Sequence, residues 1–295
     1  MMRTEKEMYH MILQIAEVDE RIRAVYMNGS RTNQNVEKDI FQDYDVVYVV
    51  TDTKPFIKEK DWINKFGEIW FMQYPDEHPD YPSDKANFYG WLMQFRDGNR
   101  LDLHVESMEH AKEHITDDKL CKILLDKDNI LPDIPEATDE DYYVKRPTTE
   151  QFLCTCTEFW WCLNNVAKGL WREEILYVQD MINFCVRKQL EKVLSWKIGI
   201  KTDFSVSVGK SAKYMYKWLE QEEYDEFLAT YATGNTQDCW QAVFKMTDLF
   251  SKTAKNVAEE LGYTYNSKEE NACIDFLNIV HDLPRDAKEI VSATS

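Results

Sequence analysis

A chain of 295 residues that is 44% hydrophobic and 13% aromatic is too long for one small core and too apolar to stay disordered, so two packed domains are expected. Thirty-five lysines and arginines against 53 acids give a formal charge of −18; such a field repels phosphate backbones and attracts cations, which argues against nucleic acid as a partner. No apolar run approaches the roughly 18 residues of a membrane span, and the opening MMRTEKEMYH has no apolar core of a secretory signal, so a cytoplasmic protein with no membrane partner is expected; a monomer is the default expectation, which the sequence itself does not fix.

In chain order, Thr4 and Glu7 form a capping-box pattern before Met8, Met11, Ile12 and Ile15 at helical spacing, which predicts an amphipathic helix ending near Asp19. Ile22 to Met27 reads as a short strand broken by the turn residues Asn28, Gly29 and Ser30. Val46 to Thr51 is a β-branched run suited to a strand buried on both faces. Further strands are predicted at Ile69 to Tyr74, Asn87 to Phe95, Arg100 to Glu106 and Cys121 to Leu125. Asp97-Gly98 marks a hairpin between the second and third of these segments, making them antiparallel neighbours in a mixed sheet. From Leu131 to Pro147 prolines and acids interrupt the pattern, and the apolar period then changes from two to about 3.6. The boundary is therefore drawn at 146/147, with helices expected at 149–168, 172–198, 209–219, 235–262 and 268–282. The fold class is α+β: a domain over 1–146 with a mixed sheet flanked by helices, then an all-helical domain over 147–295.

Three elements carry chemistry together: Gly29-Ser30-Arg31 after a strand, Asp43-Tyr44-Asp45 leading into a strand, and Asp102 on a later strand. Residues two apart on a strand share a face, so Asp43 and Asp45 can offer both carboxylates to one cation while Tyr44 points away, and Asp102 can complete the cluster from a nearby strand. Carboxylates are the ligands of hard Mg2+, which commonly also takes substrate phosphates; one or two ions beside ATP fit three aspartates. Gly29 lets backbone approach a triphosphate, Ser30 can donate hydrogen bonds to it, and Arg31 adds a positive fork.

Gly29-Ser30, Asp43-x-Asp45 and a third aspartate resemble the polymerase-beta-type nucleotidyltransferase superfamily. Within it, NGSRTNQNVEKDIFQDYDVVYVV, RLDLHV, KGLWREEIL and LSWKIGIKTDFSVSVGK are similar to the aminoglycoside 6-adenylyltransferases, or streptomycin adenylyltransferases, over about residues 1 to 285. The resemblance implies an N-terminal nucleotidyltransferase domain joined to a helical domain, with ATP and antibiotic bound between them. It further implies that Asp43, Asp45 and Asp102 hold magnesium, that Asp102 stands nearest the acceptor hydroxyl, and that Ser30 and Arg31 hold triphosphate. At Asn28 an acidic residue is expected of close relatives, and this chain departs from that. The implied reaction moves AMP from ATP to a hydroxyl of cationic streptomycin. Guanidinium groups call for carboxylates and aromatic faces, which Trp171, Glu173, Glu174 and Asp180 can offer.

Other motifs read more plainly. Gly209-Lys210-Ser211 is not a Walker motif, because its first glycine would fall on Phe204, although Lys210 can still reach a triphosphate. His110-Ala-Lys-Glu-His114 matches an inverted zinc-protease pattern without an evident third ligand. His104 shares a strand face with Asp102 and reads as structural. Seven cysteines, among them Cys154, Cys156 and Cys162, read as small buried hydrophobes with no paired spacing for zinc.

Overall fold

The computed structural model describes residues 1–290, so residues 291–295 of the expected helical domain lie outside the described residues. The chain divides into two compact units, Met1–Asp141 and a second from Tyr142 onward. The fold is α+β, with a mixed sheet and helices in the first unit and a helical second unit.

In the first unit α1 (Glu5–Val18) starts on the expected capping box: the Thr4 backbone N–H donates to Glu7 Oε2 at 2.7 Å and the Glu7 N–H to Thr4 Oγ1 at 3.3 Å. Six strands follow, β1 (Ile22–Asn28), β2 (Tyr44–Val50), β3 (Ile69–Gln73), β4 (Phe88–Phe95), β5 (Arg100–Ser107) and β6 (Cys121–Asp126), with short helices α2 (Lys54–Lys58) and α3 (Met108–His114) between them. The sheet order is β3-β4-β5-β2-β1-β6. Strands β4 and β5 are antiparallel across the Asp97-Gly98 turn, and β2 lies parallel to β5, so the sheet is mixed as the hairpin signal predicts.

Strand alternation sorts the sheet into two faces. Tyr44, Val46 and Tyr48 join Leu101, Leu103, Trp91 and Phe95 under Met8 and Ile12 of α1. The Tyr48 hydroxyl donates to the Ile12 carbonyl at 2.6 Å, fixing α1 on β2. On the opposite face Ala24, Tyr26, Val47 and Val49 pack against Ala111 and Ile115 around α3. That face also carries Asp45 and Asp102, because the alternation that buries Tyr44 and Val46 turns Asp45 and Val47 the other way.

The helical unit comprises α4 (Thr149–Arg172), α5 (Ile175–Asp180), α6 (Arg187–Lys201), α7 (Gln221–Leu228), α8 (Thr236–Leu261) and α9 (Ser267–Asp282). Its core includes Phe159 stacked on Phe250 with ring centroids 3.6 Å apart. The helix expected at 149–168 continues to Arg172, where Glu173 caps it in the left-handed conformation, φ 59°. The helix expected at 172–198 begins at Ile175 and contains a π-helical turn, Met181–Val186. The helix expected at 209–219 does not form. Ser211 and Ala212 are left-handed at φ 55° and 62°, which breaks the i to i−4 ladder and leaves two single 3-10 turns, Lys210–Ala212 and Met215–Lys217. Helix α7 carried no prediction.

Candidate active site

Backbone pairing places the aspartates. Asp45 on β2 is in register with Asn28 on β1 and with Asp102 on β5, so adjacent strands bring Asp45 and Asp102 side by side while Asp43 stands just before β2. One carboxylate oxygen from each of the three lies within 4.8 Å of the others. Gly29 turns the chain away from β1 at φ 78°, and a Cβ there would overlap Asp45 Oδ2. A glycine is therefore required twice at this position, for its conformation and for the approach of backbone to carboxylate. The turn is closed by the Thr32 N–H and hydroxyl donating to the Gly29 carbonyl at 3.1 and 2.8 Å, with Ser30 between them.

Charge crowding marks the cluster. Burial first, then the Asp43 and Asp102 charges, push the Asp45 carboxyl up to about 7, with Arg100 and Arg31 opposing. Asp102 is buried, and Arg100 grips it bidentately: Nε donates to Oδ1 at 2.8 Å and Nη2 to Oδ2 at 2.6 Å. Arg100 Nε also lies 3.7 Å from Asp43 Oδ2. Nothing in the sequence singled out Arg100; its only signal is its position two residues before Asp102 on the same strand face.

Arg31 is held by protein groups. Its Nε and Nη2 donate to the carbonyls of Asp43 and Gln42 at 2.8 and 2.7 Å, its guanidinium covers the Tyr44 ring at 3.7 Å, and its side chain is 7% exposed. These bonds fasten the loop that presents Asp43. His104 has its ring stacked on Phe88 at 4.6 Å, and a Cβ at position 90 would overlap it, so Gly90 gives it room; burial lowers its pKa. His110 bonds the buried Glu106, which the Tyr26 hydroxyl also reaches, and His114 Nδ1 pairs with Asp117 at 2.8 Å. The two histidines thus serve carboxylates of their own.

In the helical unit Trp171 packs on the core and donates its indole N–H to the Leu283 carbonyl at 3.1 Å, Glu173 pairs with Arg285, and Glu174 lies 3.9 Å from Arg172. Glu174 and Asp180 are exposed. Lys210 follows Gly209, φ 73°, and is next in the chain to Ser211, which lines a cleft of about 680 Å³ with Tyr142, Lys145, Lys188, Lys192 and Trp196. Glu191 lines the same cleft and pairs with Lys188 at 2.8 Å, so three lysines face one carboxylate there, a local exception in so acidic a chain. Cys121, Cys156, Cys162 and Cys239 are buried as expected of small hydrophobes, whereas Cys154 is exposed.

A mixed sheet that sets two carboxylates on neighbouring strands and a third just before one of them, beside a Gly-Ser turn and joined to a helical unit, is the frame of a nucleotidyltransferase. The streptomycin adenylyltransferase profile matches residues 2–280, and the chain belongs to that family. It is 38% identical over 270 residues to the aminoglycoside 6-adenylyltransferase of Bacillus subtilis (strain 168), covering 91% of this chain and 95% of that one. To the Campylobacter jejuni protein of the same name it is 39% identical over 269 residues, 91% and 93% of the two chains. A solved structure described as an aminoglycoside 6-adenyltransferase from Bacillus subtilis is similar at 33% identity and TM-score 0.48, covering 96% of this chain and all of the other.

Proposed function

We propose that this protein transfers AMP from ATP to a hydroxyl of an aminoglycoside, the 6-hydroxyl of streptomycin, releasing pyrophosphate and inactivating the antibiotic. The observation that carries the reading is the register that sets Asp45 beside Asp102 next to the Gly29 turn, in a chain related over nine-tenths of its length to enzymes named for that reaction. An all-oxygen donor set within 4.8 Å suits hard divalent cations, magnesium first among them. Asp43 and Asp45, with Asp102, would hold it; when bound, it neutralises phosphate charge at the reacting phosphoryl group. Asp102 accepts the proton of the acceptor hydroxyl, whose oxygen forms the new bond to the α-phosphorus as the bond to pyrophosphate breaks. Ser30 and the turn N–H groups face the triphosphate, and Arg31 acts through the Asp43 loop. Lys210 and the neighbouring lysine-lined cleft supply positive charge for phosphates. Exposed Glu173, Glu174 and Asp180 attract the cationic acceptor, and Trp171 offers it an aromatic face.

Pyrophosphate release from Mg-ATP with and without streptomycin tests this directly. Release only with the drug, together with a product heavier by one AMP, is the expected result, and Asp45→Ala should reduce turnover by on the order of a thousandfold. No release with any aminoglycoside tried would leave a nucleotide-binding protein without this activity. Intact Asp43, Asp45 and Asp102 speak against that alternative.

A further inference from the structure

We infer that Arg100 is a built-in counter-cation that competes with the metal for Asp102 and Asp43, holding the nucleotide-free site as an ion pair so that a bare divalent ion binds poorly. This rests on the reading of the three aspartates as the metal site. The geometry sets up the competition. The Arg100 fork occupies both oxygens of Asp102, at 2.8 and 2.6 Å, and stands 3.7 Å from Asp43. The fork takes one lone pair of each Asp102 oxygen, and its positive charge lies where it repels a metal approaching the remaining ones.

Of the two ions in the pair, the arginine is the one free to move. The Asp102 side chain is 10% exposed, at the centre of the sheet, whereas that of Arg100 is 46% exposed at the first residue of β5. The other arginine near the cluster, Arg31, is fixed by two backbone carbonyls and the Tyr44 ring and cannot exchange with an incoming ion. Three carboxylates this close repel one another unless a cation stands among them. Arg100 meets that need in the metal-free state, and its departure frees Asp102 both as a ligand and as a proton acceptor. A metal arriving with triphosphate brings extra ligands to offset the broken ion pair; a metal arriving alone does not.

Mn2+ binding to the full-length protein without nucleotide, followed by the electron paramagnetic resonance signal of the free ion, tests this on wild type, Arg100→Gln and Arg100→Lys. Removing one positive charge and its fork should tighten Mn2+ binding by on the order of tenfold in Arg100→Gln, with Arg100→Lys, which keeps the charge and loses the fork, falling between. An arginine that merely organised the carboxylates would give the opposite sign, because its loss would scatter the ligands and weaken binding. Equal or weaker Mn2+ binding by Arg100→Gln while wild type binds overturns the competition and leaves the metal site standing. Should neither protein bind Mn2+ without nucleotide, this inference falls, and the same measurement with ATP added decides the metal-site reading separately. Circular dichroism verifies folding, and if Arg100→Gln does not fold the same criterion applies to Arg100→Lys.

Discussion

Asp45 carries the largest electrostatic load of the three carboxylates. Burial, then Asp43 and Asp102, raise its pKa to about 7, far above the value of about 3.9 that an unfolded aspartate keeps. A carboxyl whose folded pKa is raised contributes stability that is fully present below the unfolded value and is lost as pH climbs through the folded one. In chelator-treated protein this contribution therefore declines between about pH 4 and pH 7. Asp45→Asn, which imitates the protonated form, should match wild type in thermal midpoint near pH 4 and exceed it increasingly toward pH 8. Added Mg2+ should recover the wild-type midpoint at pH 8, since a bound cation favours the ionised carboxylate. A gap between the two proteins that stays constant with pH would contradict the assignment. The nearby Gly29 is as constrained, but by shape: its left-handed φ and its contact with Asp45 both exclude a side chain.

Among the elements, α4 separates cysteines that look alike in sequence. Burial drives the thiols of Cys156 and Cys162 up to about 12, which suppresses the reactive thiolate, whereas Cys154 is exposed and lines the lysine-bearing cleft. Cys154 should be the fast-alkylating thiol of the native protein, and Mg-ATP should slow its modification at least severalfold if that cleft takes the nucleotide; peptide mapping after a timed iodoacetamide pulse measures both. Unprotected Cys154 would remove the cleft from the nucleotide path. How far such features could be read in advance depends on the range of the forces behind them. The aspartates were legible because strand alternation and the Asp97-Gly98 hairpin are local signals that fix which side chains share a face. Arg100 and Arg31 were not, because a guanidinium can reach a carboxylate, a carbonyl or a phosphate, and only the fold decides which. The same limit applies to Trp171, whose indole found the Leu283 carbonyl 112 residues away. The helix expected at 209–219 failed for a related reason: its apolar spacing was adequate, but left-handed Ser211 and Ala212 follow from how the segment is folded back on itself, with the Tyr214 N–H donating to the Val208 carbonyl at 2.9 Å.

Over the whole molecule the charge of −18 acts on the two proposed substrates with opposite sign. A polycationic aminoglycoside is drawn toward the surface and an ATP polyanion is repelled, except where lysines gather locally as in the cleft beside Ser211. Both effects are screened once the Debye length falls from about 10 Å at 0.1 M salt to about 3 Å at 1 M. Raising ionic strength over that range should lower kcat/KM for the aminoglycoside severalfold, chiefly through slower encounter, while kcat at saturation changes little. The KM for Mg-ATP should stay level or fall in the same series. Uncharged crowding agents at matched viscosity separate screening from diffusion. If kcat/KM for the cationic acceptor were insensitive to salt, the acidity of the chain would have no part in capturing substrate, and attraction would reside wholly in short-range contacts such as those proposed for Glu174 and Asp180.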